Sequence, residues 1–375
     1  MEVSTRQRRL LSDRQRRSWL RLIRTENVGP ASFRALINRY GSAEAALEAL
    51  PELASRGGRE QVNLPTWDQI DAELEAAERM GARFVAIGEA EYPPLLTRIE
   101  HPPPLIAAAG RTELLQAPAC AIVVARNASI TGMRFTQKIA HDLGLAGLLI
   151  VSGLARGIDT AAHRGSIETG TVAVIAGGLD QPYPPENERL YAELLDRGVV
   201  LTEMPFGWVP RAQDFPRRNR IIAGICYGLL VVEAAERSGS LISAWLANEM
   251  GRLVFAVPGF PLDPRAGGTN KLLKEGATLV TKAEDVIEAL RPVISRPMPV
   301  TSAEEPPDLA AVPPPAESER TLVINALGRT PVLIDDIIRH TGLEAAQVAL
   351  VLLELDLAGR LERHPGGYVS LLLDP

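Results

Sequence analysis

The stretch "DFPRRNRIIAGICYGLLVVEA", residues 214–234, sets Arg217, Arg218 and Arg220 beside Phe215 and Pro216, then turns almost wholly apolar. Pro216 suits the first helical position, so a helix is expected over 217–226 with the arginines in its first turn. A helix N-terminus already carries partial positive charge, and each cation added there costs about 0.3–1 kcal/mol. A bound phosphate chain relieves that cost. Glu203, Asp214 and Glu233 are the internal alternative, but three carboxylates do not easily satisfy Arg156, Arg211, Arg217, Arg218 and Arg220 together. Phe206, Trp208 and Phe215 are interleaved with these cations. Arginines that track phosphates among aromatics that stack on bases are the composition of a single-strand nucleic-acid binder.

Other chemistry is thin. Asp159 and His163 have the i, i+4 spacing of an acid and a base on one helix, although a helix-surface pair is the plainer reading. His101, His141, His340 and His364 are scattered, with neither H-E-x-x-H nor a Cys/His cluster, and G-x-S-x-G does not occur. No catalytic residue, metal site or cofactor is predicted. The absence of G-x-x-x-x-G-K-[ST] disfavours a P-loop ATPase. In "VVARNASITG", Val124 and Ala125 stand where a dinucleotide fold needs glycines, and the loop offers Arg126 instead.

These residues need a scaffold, and the apolar pattern supplies one. From 119 to 291, the runs "CAIVVA", "GLLIVSG", "TVAVIAGG", "GVVLTE", "GLLVVEA", "LVFAVPG" and "ATLVT" alternate with amphipathic stretches. Strands apolar on both sides, alternating with helices, predict a doubly wound, Rossmann-like parallel sheet. Ligands of such sheets bind at the carboxyl ends of the strands. Five of the six loops expected there carry an arginine or a small-residue helix start, including Gly153, Arg156 and Gly157 in one and Ser238, Gly239 and Ser240 in another. Together they describe an extended anion-binding rim.

The flanks differ. Residues 15–75 read as helical, and "LIRTENVGPASFRALINRYGSAEAALEAL" turns at Val28-Gly29-Pro30. That is the pattern of a helix-hairpin-helix, whose amides can meet a DNA phosphate. A plain helical bundle fits as well, because Asn27 stands where such hairpins often have a second glycine. Residues 80–118 are proline-rich and predict an extended lead-in with one or two edge strands. Eight prolines fall between 292 and 318, which reads as a linker. Beyond it come three helices, a Gly-Gly turn and a strand, the order of a winged helix. Its third helix, about 344–358, carries Glu344, Glu354 and Asp356 and no lysine or arginine. A protein-binding or structural role fits that helix better than base readout. The expected domains are therefore 1–78 (helical), 79–292 (α/β), 293–318 (linker) and 319–375 (winged helix).

With 46% hydrophobic and 23% charged residues, the composition is that of a globular protein. No apolar stretch reaches the length of a membrane span. The N-terminus carries arginines without an apolar signal core, so a cytoplasmic protein is expected. Cys120 and Cys226 lie in apolar runs and are expected as buried free thiols. The net charge of −6 speaks against indiscriminate nucleic-acid binding. Positive charge is nevertheless clustered: eight arginines against Glu2 and Asp13 in 1–24, and four against Asp214 in 211–220.

"VSGLARGIDTAAHRGSIETG", "YPPENERL", "DFPRRNRIIAG", "VVEAAERSGSLISA" and "VFAVPGFPLDPRAGGTNKLLKEGA" closely resemble the DNA-processing protein A family (DprA, also called Smf). The match is dense from about 118 to 290. The resemblance implies a cytoplasmic homodimer that binds single-stranded DNA and protects it. It also implies help in loading the RecA recombinase during natural transformation, without enzymatic activity. Carried over by motif, the DNA contacts are Arg126, Arg156, Phe215, Arg217, Arg218, Arg220, Ser238, Gly239 and Ser240, and the dimer surface lies around 269–290. The family's glycine-serine-arginine turn reads Val124-Ala125-Arg126 here. Two other readings stand beside this one. A nucleoside-monophosphate glycoside hydrolase would need a catalytic glutamate that "PGFPLDPRAGGTNK" lacks. A protein-binding scaffold would show no salt-dependent DNA affinity.

Overall fold

The structure, a computed structural model, describes residues 10–123, 127–296, 309 and 312–372. Four helices come first: α1 (Asp13–Arg24), α2 (Pro30–Tyr40), α3 (Ala43–Arg56) and α4 (Trp67–Arg79). Ser12 and Gln15 form a capping box on α1, Ser42 caps α3, and Pro30 opens α2 behind Gly29. Asn27 takes a φ of 62°. Asparagine tolerates that left-handed conformation better than most residues, so the hairpin turns there without a second glycine.

The central elements follow in strict alternation after two lead-in strands. They are β1 (Arg83–Ala86), β2 (Leu105–Gly110), β3 (Ala119–Val123), α5 (Ile130–Leu145), β4 (Leu149–Ser152), α6 (Ile158–Ser166), β5 (Thr171–Val174), α7 (Glu188–Arg197) and β6 (Val199–Thr202). Next come α8 (Asp214–Ile225), β7 (Gly228–Val231), α9 (Gly239–Glu249), β8 (Leu253–Ala256), α10 (Gly267–Lys274), β9 (Thr278–Leu279) and α11 (Ala283–Ile294). The strands lie in the order β1-β2-β6-β5-β4-β3-β7-β8-β9. Neighbours from β6 to β9 are parallel, while β2 joins β6 antiparallel. β2 is thus an interior strand, and of the lead-in pair only β1 lies at the edge.

Side chains alternate across the sheet. On β3, Cys120 and Ile122 pack with Ile139, Leu143 and Leu290 on one face. Ala121 and Val123 pack with Ile221, Ile222 and Ala244 on the other. Both cysteines are free and buried, and burial pushes the Cys120 thiol up to about 12. The chain crosses the sheet between β6 and β7, so β3 and β7 flank the point where strand order reverses. Open α/β sheets bind ligands at such points.

The last elements are α12 (Glu317–Ala326), β10 (Val332–Leu333), α13 (Ile334–Thr341), α14 (Ala345–Leu357), β11 (Leu361–His364) and β12 (Tyr368–Leu371), with the strands ordered β10-β12-β11. Gly366 and Gly367, at φ 78° and 76°, make the wing's tight turn, a conformation that costs glycine least. The described residues form two compact units: 10, 75–99, 106–123 and 127–296, and 11–74 with 100–105, 309 and 312–372. In the second unit Leu350, Leu353 and Leu357 of α14 share a core with Leu36, Leu47 and Leu50 of α2 and α3.

Candidate nucleic-acid interface

Helix α8 begins at Asp214, three residues earlier than the 217–226 expected. Asp214 therefore stands in the first turn, buried at 4% exposure. Its Oδ2 accepts from the Arg211 amide at 2.8 Å and from Trp208 Nε1 at 2.9 Å. The helix supplies its own anion at its positive end. The expectation that the arginines crowd this end uncompensated is corrected.

The arginines have protein partners. Glu203, just past β6 and 6% exposed, accepts from Arg217 Nε at 3.0 Å and also pairs with Arg220. One buried carboxylate serves two arginines, which weakens the argument that three carboxylates are too few. Arg156 pairs with Glu186 at 3.1 Å, both largely exposed. Arg218 is only 7% exposed. Its Nη1 donates to the carbonyls of Gly153 at 2.6 Å and Val174 at 2.5 Å. Arg126, with Val124 and Ala125, lies outside the described residues.

Five of the expected contacts converge. Phe215, Arg218, Ser238, Gly239 and Ser240 line one cavity of about 650 Å³, together with Val123, Asp159, Tyr183, Asn219 and Ile242. The cavity lies beyond the carboxyl end of β3, between the first turns of α8 and α9. Ser238 caps α9: its Oγ accepts from the Ser240 amide at 3.3 Å and lies 2.7 Å from Ser240 Oγ. Tyr183 and Phe215 lie side by side with ring centroids 5.8 Å apart and planes tilted by 55°. Arg211 lies 4.8 Å over the Trp208 ring. Arg156, Arg217 and Arg220 do not line this cavity. Phe206 packs edge-on against Phe84 at 6.3 Å, which gives that aromatic a packing role. The cavity offers flat rings, hydroxyls, a guanidinium and a helix N-terminus: the means to hold a planar ring and an oxyanion.

Asp159 and His163 are not a surface pair. They are 5% and 0% exposed. The Asp159 carboxylate accepts from the amides of Gly153 and Ala155 at 3.1 and 3.0 Å. Burial raises its pKa, against the nearby Arg218 charge. His163 Nδ1 lies 2.7 Å from Thr171 Oγ1. Burial, and then Arg218, lower its pKa to about 3, so it is neutral. The helical spacing was right, but the face was wrong: this side of α6 packs inward.

The start of α5, where a dinucleotide fold would seat a pyrophosphate, holds the chain's own anion. Glu233, just past β7, accepts from the Ser129 amide at 2.9 Å and from Ser129 Oγ. Ser129 Oγ in turn caps the Gly132 amide at 2.8 Å. A β-carbon on Gly132 would lie 2.6 Å from Glu233 Oε1. A second cavity of about 340 Å³ adjoins this carboxylate. Among the described residues no cluster could hold a metal ion, and no helix is long and apolar enough to cross a membrane.

Tyr183, Asn219 and Ile242 were not singled out from sequence. Tyr183 stands in "DQPYPPEN", which follows the apolar run "TVAVIAGG" at the carboxyl end of a strand, so an aromatic there is a usable signal. Nothing local distinguishes Asn219 or Ile242, which reach the cavity only because α8 and α9 meet there.

Residues 83–291 match the family described as DNA recombination-mediator protein A, residues 13–76 a DprA-like N-terminal HHH domain, and residues 305–367 a DprA winged helix domain. Protein Smf of Synechocystis is 31% identical over 388 residues, covering 93% of this chain and 96% of that one. DNA processing protein DprA of Bacillus subtilis is 40% identical over 227 residues, covering 60% and 76%. The X-ray structure of DprA from Streptococcus pneumoniae superposes with a TM-score of 0.61 at 36% identity, covering 72% and 95%. DprA from Helicobacter pylori, described for its single-stranded DNA binding mode, superposes with a TM-score of 0.52 at 27% identity, covering 56% and 96%. A family match over the whole central sheet, joined by one on each flanking domain, leads to one conclusion: the chain belongs to the DNA recombination-mediator protein A family.

Proposed function

We propose that this protein binds single-stranded DNA in the cytoplasm as a homodimer. In this role it protects incoming strands and helps load the RecA recombinase during natural transformation, without turnover chemistry of its own. Residues 79–292 carry the DNA, between a helical domain (1–78) and, past a linker (293–318), a winged helix (319–375). The observation that carries the reading is the cavity that gathers Phe215, Arg218, Ser238, Gly239 and Ser240. Exposed Arg156 and Arg217 add cations that can exchange a carboxylate for a phosphate. Aromatics, a helix start and exchangeable arginines suit unpaired bases on a charged backbone. The relative from Helicobacter pylori, named for its single-stranded DNA binding mode, supports it.

The test is fluorescence anisotropy of a labelled oligo-dT and its matched duplex across a salt series. Single strand should bind more tightly, and log K should fall with log salt by about 0.7 per phosphate contact. Absence of salt-dependent binding would overturn the reading. Release of free base from nucleoside monophosphates would then be the next assay.

A further inference from the structure

We propose that α14 is an autoinhibitory cover on the N-terminal helical hairpin. The inference rests on reading the chain as a DNA binder and assigns a job to its winged helix. In DNA-reading winged helices the third helix enters the major groove. Here that helix is α14, which carries Glu354 and Asp356 and no cation. Its Leu350, Leu353 and Leu357 are at most 2% exposed and pack into the core of the hairpin domain. Its recognition surface is occupied from within the chain.

The contact is close, and it falls on the hairpin's DNA side. A β-carbon on Gly57, at the end of α3, would lie 2.0 Å from the Glu354 carbonyl oxygen, so the backbones meet where only glycine fits. Arg360 Nη1 donates to the Gly57 carbonyl at 3.1 Å. Asn27, in the hairpin turn, donates through Nδ2 to the Leu357 carbonyl at 3.3 Å. Ser32, in the first turn of α2, donates through Oγ to Asp356 Oδ2. A hairpin of this type meets a phosphate with the amides that open its second helix. In this chain an approaching phosphate meets the end of α14 instead. Asp356 Oδ2 also accepts from Arg363 Nε at 3.0 Å, which offsets its charge, so the exclusion is mainly steric.

The experiment uses the full chain with Gly57→Gln. Gly57 has ordinary helical angles, φ −74° and ψ −7°, so the larger residue strains the contact with α14 and not its own backbone. Donor and acceptor dyes on Ser55→Cys and Glu362→Cys report separation, and the two natural cysteines are buried. The expected result is lower energy transfer and roughly threefold or more tighter duplex binding as new charge-assisted hydrogen bonds form, with oligo-dT binding retained. If Gly57→Gln does not fold, a variant combining Asn27→Ala, Ser32→Ala and Arg360→Ala gives the same comparison. Separation without tighter duplex binding overturns the proposal. So does energy transfer that stays at the wild-type level in both variants, since the cover would then not open. Loss of oligo-dT binding by the wild-type chain would instead sink the single-strand reading, so the two ideas fail separately.

Discussion

Arg218 rests its guanidinium on the backbone of Gly153. Nη1 donates to that carbonyl at 2.6 Å, and a β-carbon on Gly153 would lie 2.6 Å from the same nitrogen. Because Nη1 also reaches the Val174 carbonyl, one side chain ties together the ends of β4 and β5 beside the cavity. Arg218→Ala leaves two buried carbonyls without this donor and should cost about 2–4 kcal/mol in urea unfolding. Arg218→Lys should recover only part, since an ammonium lacks the planar fork. Full stability in Arg218→Ala would contradict this structural role.

Arg156 and Arg217 make the opposite prediction. Arg156 and its partner Glu186 are both largely exposed, and exposed ion pairs contribute about 0–1 kcal/mol, so Arg156→Ala should unfold within about 1 kcal/mol of wild type. Arg217 is 47% exposed but its partner Glu203 is buried; Arg220 stays on that carboxylate, so Arg217→Ala should cost less than Arg218→Ala. Each should also subtract about 0.7 from the single-strand salt slope. Slopes unchanged in both variants would take these arginines off the DNA track.

Phe215 and Tyr183 sit as a tilted aromatic pair in the cavity wall. Base stacking is worth about 1–3 kcal/mol per base by alanine substitution. Phe215→Ala and Tyr183→Ala should each weaken oligo-dT binding by that amount and leave the salt slope in place. Loss of slope instead of intercept in titrations would point to disturbed arginines and not to lost stacking.

Glu233 and Ser129 should matter for stability alone. Ser129→Ala removes a cap and an acceptor for Gly132, a loss of about 1–2 kcal/mol. Glu233→Gln should also destabilise, because it weakens the hydrogen bonds at the start of α5. Thermal melts check both. A changed salt slope in either variant would bring this helix start into the binding surface.

His163 makes acid stability measurable. Its pKa falls from the usual 6.5 to about 3 in the folded chain. Between those values the unfolded state binds more protons, so stability falls as pH falls. The contribution is at most about 1.4 kcal/mol per pH unit. Urea midpoints at pH 7 and pH 5 should differ more in wild type than in His163→Asn. Equal differences would place the acid sensitivity elsewhere.

Much of this was present in the sequence, because the signals are local. The apolar runs from "CAIVVA" to "ATLVT" became β3 to β9; β3 to β7 are buried along their length, as strands covered on both faces are, while β8 is partly buried and the edge strand β9 is exposed. Ser238-Gly239-Ser240 announced the start of α9, and Gly366-Gly367 the turn of the wing. The partners of the charges depended on the tertiary fold. Glu203 lies beyond β6, 14 and 17 residues before Arg217 and Arg220, and no periodicity in the chain joins them. Arg218 reaches carbonyls 65 and 44 residues away. Asp356 meets Ser32 across 324 residues. A strand or helix is chosen by its own side chains, whereas an ion pair is chosen by which elements become neighbours. Sequence alone therefore determined the scaffold and the chemical character of its rim, and the packed structure decided which arginines hold the fold together and which remain exposed.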